Sequence, residues 1–151
     1  ADQLIQEIKD EESQLYLDVI RRNSARISTI ITELLNSSRF HVLADRSKLK
    51  IAFMNLVVNA IEAMEQVENA SLLLSLSSGE NQVVCEVTDN GCGIPAENLG
   101  RLFEPYYTSK RNGMGLGLAS TMNIIQSHKG YIEVHSKPGK GTTFLVHLPL
   151  E

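Results

Sequence analysis

Cysteine is scarce in this chain. Cys85 and Cys92 are the only two, and neither belongs to a CxxC or mixed Cys/His spacing. That excludes a disulfide-stapled fold and a thiolate metal site, and two free thiols point to a reducing, cytoplasmic setting. Charge of one sign is lacking as well: a net charge of −4 leaves no basic surplus for a nucleic-acid backbone. No apolar run approaches the length of a membrane span, and the first residues show no signal-peptide pattern. His128, His135 and His147 occupy surface-like or alternating positions without metal-ligand spacing, so they read as structural. Neither a P-loop nor a strand-first dinucleotide fingerprint is present. What remains is ordinary globular composition over 151 residues, enough for one domain with a real core plus an appendage.

The first part of the chain is helical in pattern. Ala1 to Ile8 carries Leu4, Ile5 and Ile8 on one side, and Lys9 to Ser13 is polar enough for a turn. From Gln14 to about Asn36, Leu15, Ile27, Leu34 and Leu35 recur at helical steps, uninterrupted by Gly or Pro. Such a helix is about 35 Å long. Its apolar stripe suits an antiparallel hairpin that dimerises into a four-helix bundle, or else a helix lying on its own domain's sheet. Asn36 to Arg39 ends it, and His41 to Ala44 is a short strand-like run. Asp45 or Ser47 then caps a helix from Lys48 to about Gln66, whose core face is Leu49, Phe53, Leu56, Val57, Ala60, Ile61 and Met64. Asn55 and Asn59 lie four apart and therefore on one side of it. Asparagine disfavours helix interiors. The pair either faces solvent or offers an oxygen ligand to a hard cation such as Mg²⁺.

Two strands follow, Ser71 to Ser77 and Gln82 to Thr88, joined by a turn at Gly79 to Asn81. The second delivers Asp89 into Asp89-Asn90-Gly91-Cys92-Gly93-Ile94-Pro95. A carboxylate held by a strand, with two glycines beyond it, suits a ligand contact, although the same residues also make ordinary turns. A short helix from about Glu97 becomes a loop with Phe103, Pro105, Tyr106, Tyr107 and Lys110. Gly113-Met114-Gly115-Leu116-Gly117-Leu118 then opens into a helix from Leu118 to about His128, with Met122, Ile124 and Ile125 apolar. A glycine-rich turn feeding a helix N-terminus favours bound phosphate over a plain helix start, since free N–H groups and the helix dipole point the same way. Gly130 caps that helix, and Tyr131 to Ser136 and Thr142 to Leu148 form a hairpin around Lys137 to Gly141.

The ordered series of asparagine helix, D-x-G-x-G, F-x-P-Y-Y, G-x-G-L-G-L and G-x-G-T-x-F resembles the catalytic ATP-binding domain of sensor histidine kinases over roughly Val42 to Leu150. The resemblance implies an α+β fold: a two-layer α/β sandwich of the Bergerat ATP-binding type, with a mixed sheet and helices on one face. Residues 40–151 would form this domain, and 1–39 a partial dimerisation and phosphotransfer hairpin with its second helix at about 14–38. The implied cofactors are ATP and Mg²⁺. Asp89 would accept the adenine amino hydrogen, with Gly91, Gly93 and Ile94 around the ring and Gly93 giving it room. Asn59 would hold Mg²⁺, with Asn55 supporting phosphates or metal. Phe103, Tyr106 and Tyr107 would belong to a mobile lid, with Lys110 reaching a phosphate. Gly113, Met114, Gly115 and Gly117 would wrap the triphosphate, Leu116 and Leu118 would anchor the lid, and Thr142 would line the adenine pocket, through water to Asp89.

In the related ATPases a glutamate lies one helical turn before the magnesium asparagine and activates water. Here that position is Asn55. An amide is no general base, which favours phosphoryl transfer to a protein acceptor. The resemblance then implies γ-phosphoryl transfer to a histidine on the hairpin and relay to a response-regulator receiver domain, in a parent that dimerises through the hairpin. The alternatives are an ATPase of the same superfamily and a module in which nucleotide merely orders the lid. The family's phosphoacceptor histidine context is absent, and its place is expected upstream of Ala1. Only Arg39 to Arg46 intervenes where the family has a further strand and helix. Glu62 stands where many relatives are basic, a charge that Lys110 or Lys48 would replace.

Overall fold

The computed structural model describes Thr29, residues 44–108 and residues 115–150. The chain divides into two compact units, Ala1–Ser37 and Ser38–Glu151. Apart from Thr29, which lies in a helix, every described residue falls in the second. The hairpin expected over residues 1–39, Thr29 excepted, and all but Ala44 of the strand-like run His41 to Ala44 therefore lie outside the described residues, and Ala44 is in no strand.

Helix α1 spans Arg46–Ala63, two residues earlier at its start and three at its end than its apolar pattern predicts. Asp45 is the cap: its Oδ1 accepts the Lys48 backbone N–H at 3.1 Å, satisfying one of the donors that a helix start leaves open. Leu49, Ala52, Phe53, Leu56, Val57 and Ala60 are buried along one side. Strands β1 (Leu72–Ser78) and β2 (Gln82–Asp89) form the first hairpin. A single helical turn, α2 (Ala96–Leu99), precedes the aromatic loop. Helix α3 (Gly117–Ser127) leads to β3 (Tyr131–Lys137) and β4 (Gly141–Pro149).

The end of α3 departs from expectation. The left-handed residue is Lys129, at φ 59°, not Gly130. Gly130 donates its N–H to Ile125 O at 3.0 Å and Lys129 donates to Gln126 O at 2.9 Å. This crossed pair of bonds satisfies the last carbonyls of the helix. His128 closes the other side: its Nδ1 lies 2.7 Å from Ile124 O, and its Nε2 accepts the Asp45 N–H at 2.9 Å. The ring ties the end of α3 to the start of α1.

The sheet order is β1-β2-β4-β3, and all three pairings among the described strands are antiparallel, where a mixed sheet was expected. The two-layer sandwich is as expected. Alternation sets its inner face: Val83, Cys85, Val87 and Asp89 of β2 are buried, each opposite a buried residue of β4. Val87 pairs with Phe144, Cys85 with Val146 and Val83 with Leu148. Against this face lie α1 and α3, bringing Leu56, Val57 and Ile125 to full burial, each a contribution of roughly 1.5–3 kcal/mol. Cys85 lies within this layer, and burial pushes its thiol up to about 12, which removes it from thiolate chemistry. On the opposite face Tyr131 stacks on His147, ring centroids 4.2 Å apart.

Candidate functional site

The inner face ends in a polar row. Asp89 is the last residue of β2 and pairs with Thr142 of β4, which pairs in turn with Ser136 of β3. Both Asp89 and Thr142 are buried. The Asp89 Oδ1 accepts the Gly91 N–H at 2.8 Å, and the Thr142 backbone N–H also bonds the carboxylate. Burial pushes the Asp89 carboxyl above its ordinary value, with those two donors pulling the other way. A carboxylate carried this far into the domain, on a strand end, has the placement of a ligand-binding group.

The loop after Asp89 is clamped from two sides. Cys92 N–H donates to Ala63 O, the last residue of α1, at 3.0 Å, and Gly139 N–H donates to Cys92 O at 2.7 Å. Ile94 N–H donates to the Ser136 hydroxyl at 2.8 Å. The structure gives Gly93 a steric reason other than room for a ring. It has φ 71°, and a Cβ there would come within 2.1 Å of Lys137 O. Gly141 answers from the facing strand: a Cβ there would lie 2.0 Å from Asp89 O. Both glycines let the β3–β4 turn press against the Asp89 loop.

At the middle of α1 the partner is α3. Asn55 Nδ2 donates to Gly117 O at 3.1 Å and to Thr121 Oγ1 at 3.3 Å. Thr121, fully buried, donates to Gly117 O at 2.9 Å. Both partners of the amide nitrogen are acceptors here, so its orientation is set and Oδ1 is the end left for other contacts. Asn55 and Asn59 are half-buried and neither simply faces solvent. Leu116 stands at the N-cap of α3 with no side-chain capping bond, leaving the first N–H groups of that helix for another acceptor. Among the described residues no group of three His, Cys, Asp or Glu could hold a metal. An amide oxygen beside a bound triphosphate is nevertheless a sufficient protein contribution for Mg²⁺, whose remaining ligands are phosphate oxygens and water.

The aromatic loop has a defined base. Tyr106 N–H donates to Gly115 O at 2.9 Å, and both residues have positive φ, 64° and 67°. Phe103 is half-buried, while its neighbour Leu102 is the buried anchor. Tyr106 is 77% exposed, and Arg101 lies over the Tyr107 ring at 4.5 Å. Leu116 is exposed and Leu118 half-buried, and Gly115 accepts the described bond at the base of the loop. Lys110, Gly113 and Met114 lie outside the described residues. Lys48 sits in the first turn of α1, 3.9 Å from Asp45 and at the opposite end of that helix from Glu62, so it does not replace a basic group there. Ser136, Thr121 and Leu102 were not legible as site or anchor residues. Ser and Thr at these spacings carry no local signal, and only the sheet register and the helix crossing give them partners.

Residues 44–151 match the family described as histidine kinase-, DNA gyrase B- and HSP90-like ATPases, and the chain belongs to that family. Its relatives place it more narrowly. It is 40% identical to sporulation kinase A of Bacillus subtilis (strain 168) over 109 residues, 72% of this chain and 18% of that protein. It is 34% identical to the sensor histidine kinase ZraS of Klebsiella oxytoca over 134 residues, 89% of this chain and 29% of that one. The solved catalytic domain of histidine kinase ThkA superposes with a TM-score of 0.62 at 34% identity, covering 70% of this chain and 69% of that one. The fold is shared with the mycobacterial sensor histidine kinase MprB, at a TM-score of 0.68 and 24% identity over 90% of this chain and 96% of that one. This is an ATP-binding domain of the sensor histidine kinase type. The chain spans less than a third of the length of these curated relatives.

Proposed function

We propose that this domain binds Mg·ATP and sends the γ-phosphoryl to a histidine on the dimerisation hairpin, from which a response-regulator aspartate receives it. The observation that carries the reading is Asn55. It occupies the position from which a glutamate would activate water, and its amide nitrogen is engaged with Gly117 O and Thr121 Oγ1. A group so held has no basic lone pair and no freedom to deprotonate water. The site is left with positioning and charge neutralisation, which suffice when the nucleophile is supplied by another protein segment.

Helix α1 is the ruler of the site. Its end at Ala63 meets the Asp89 loop and its middle at Asn55 meets the start of α3, about 12 Å apart along the axis, with Asn59 between them. A nucleoside triphosphate lying along this side would set its base amine against Asp89 and its phosphates at the uncapped N-terminus of α3. Bound Mg²⁺ would neutralise phosphate charge, with the Asn59 amide oxygen as its protein ligand and Asn55 Oδ1 beside it. Lys110, Gly113 and Met114 complete the phosphate side in this reading, and the loop based on Tyr106 and Gly115 shields it from water.

The test supplies the hairpin with its histidine as a separate fragment, adds Mg·ATP labelled at the γ position, and follows acid-labile phosphoprotein and free phosphate together. Phosphohistidine on the added fragment is expected. Steady free phosphate without phosphoprotein would move the domain to the hydrolytic class.

A further inference from the structure

The Ser136 hydroxyl has three neighbours and one proton. Gly141 O lies 2.9 Å from its Oγ, the Ile94 backbone N–H 2.8 Å away, and the Thr142 hydroxyl 2.9 Å away. A carbonyl oxygen only accepts, so the Ser136 proton goes to Gly141 O. An amide N–H only donates, so one Ser136 lone pair is taken by Ile94. The second lone pair is what meets Thr142, and the Thr142 proton must point to it. With its proton committed sideways, Thr142 turns only lone pairs toward the ligand side. Asp89, its partner across the β2–β4 ladder, is also acceptor-only when ionised.

We propose that Ser136 is a specificity-determining positioning residue: by holding the Thr142 proton it makes the floor of the base site acceptor-only, so that 6-aminopurine nucleotides are selected over 6-oxopurine nucleotides. The inference rests on the reading that Asp89 and Thr142 floor the base site. A 6-amino group offers hydrogens to such a floor, directly or through a water. A 6-oxo group brings a carbonyl oxygen against two acceptors, a mismatch that a buried site resists strongly. Without Ser136 the Thr142 hydroxyl is free to rotate and donate to that oxygen.

The experiment measures ATP and inosine triphosphate binding by calorimetry to this chain and to folded variants checked by thermal melt. The unsubstituted chain is expected to favour ATP at least about tenfold, and Ser136→Ala to shrink that ratio by about fivefold through a gain in inosine triphosphate affinity. Ser136→Thr keeps the hydroxyl and is expected to keep the ratio. Should Ser136→Ala fail to fold, Ser136→Cys, whose thiol is a weak acceptor, is expected to lower the ratio in the same direction. In a Thr142→Val background the Ser136 substitution is expected to leave the ratio unmoved, because the two groups act as one unit. An unchanged ratio in folded Ser136→Ala, or an equal loss in Ser136→Thr, overturns the proposal. Failure of the site itself reads differently: Asp89→Asn would then leave both affinities as they were.

Discussion

The two ends of the site are built by different means. At the Asp89 end, backbone meets backbone: the β3–β4 turn, the Asp89 loop and the end of α1 are joined through Gly139, Cys92 and Ala63, with Gly93 and Gly141 allowing the contact and the Ser136 hydroxyl adding a bond to Ile94. At the α3 end, side chains do the joining, through Asn55 and Thr121, and among the described residues a Tyr106–Gly115 bond closes the base of the aromatic loop. Under the proposed function a base is recognised by fixed donors and acceptors at the Asp89 end, where rigidity serves, and phosphates enter, react and leave at the α3 end.

Steric change at the rigid end is expected to have the largest effect. Gly93→Ala should destabilise the domain by about 3 kcal/mol or more in a denaturant melt. Its Cβ would strike Lys137 O in a left-handed backbone. Gly139→Ala, equally left-handed but with nothing near its Cβ, should cost only about 1 kcal/mol. Equal costs would mean that the close approach at Gly93 is not what holds the loop.

Chemistry at the same end comes next. Asp89→Asn should weaken ATP binding about a hundredfold by calorimetry, since an amide nitrogen is turned toward a donor. The raised Asp89 carboxyl also sets a pH dependence. Burial favours the protonated form more in the folded domain than in the unfolded chain, so the contribution of this group to stability is fully present below its unfolded pKa. It is lost as pH rises through the higher folded value. Nucleotide reverses the preference, because a base amine needs the carboxylate. The ATP-induced rise in Tm should therefore shrink on acidification, starting at a higher pH than an unshifted aspartate would give. A shift that is flat through that window breaks the assignment.

At the side-chain end the effects should be smaller. Asn55→Asp places a carboxylate against Gly117 O and should cost about 2 kcal/mol of stability, with Asn55→Ala nearer 1 kcal/mol. The smallest effect is expected at the loop. Tyr106→Gly relieves a positive φ while loosening the unfolded chain, and should change stability by no more than about 0.5 kcal/mol. If Tyr106→Gly costs as much as Gly93→Ala, the two ends are not differently built.

Much of this was written in local pattern. Alternation in β2 gave the buried face, and helical steps gave α1 and α3, because both periods are properties of the backbone itself. That a strand delivers Asp89 was legible, because the alternation of β2 runs straight into it. Ser136, Thr121 and Leu102 were not, since a hydroxyl or a leucine acquires its meaning from what lies across the sheet or the helix crossing. Gly93 was legible as necessary but not in its reason: the amino-acid order shows a missing Cβ, and only the fold shows the carbonyl that would have met it.

By itself, then, the amino-acid order determined the described elements, because each depends on residues within a few positions of one another, and the family, through the order of its motifs along the chain. Tertiary structure decided the rest. It chose Lys129 over Gly130 for the left-handed turn, turned the Asn55 amide toward α3, and directed the Ser136 proton to Gly141 O. Asn55 finds its partners 62 and 66 residues away, Ser136 accepts from Ile94 42 residues away, and a Cβ at Gly130 would meet His147 O; no local pattern encodes a partner that arrives only on folding.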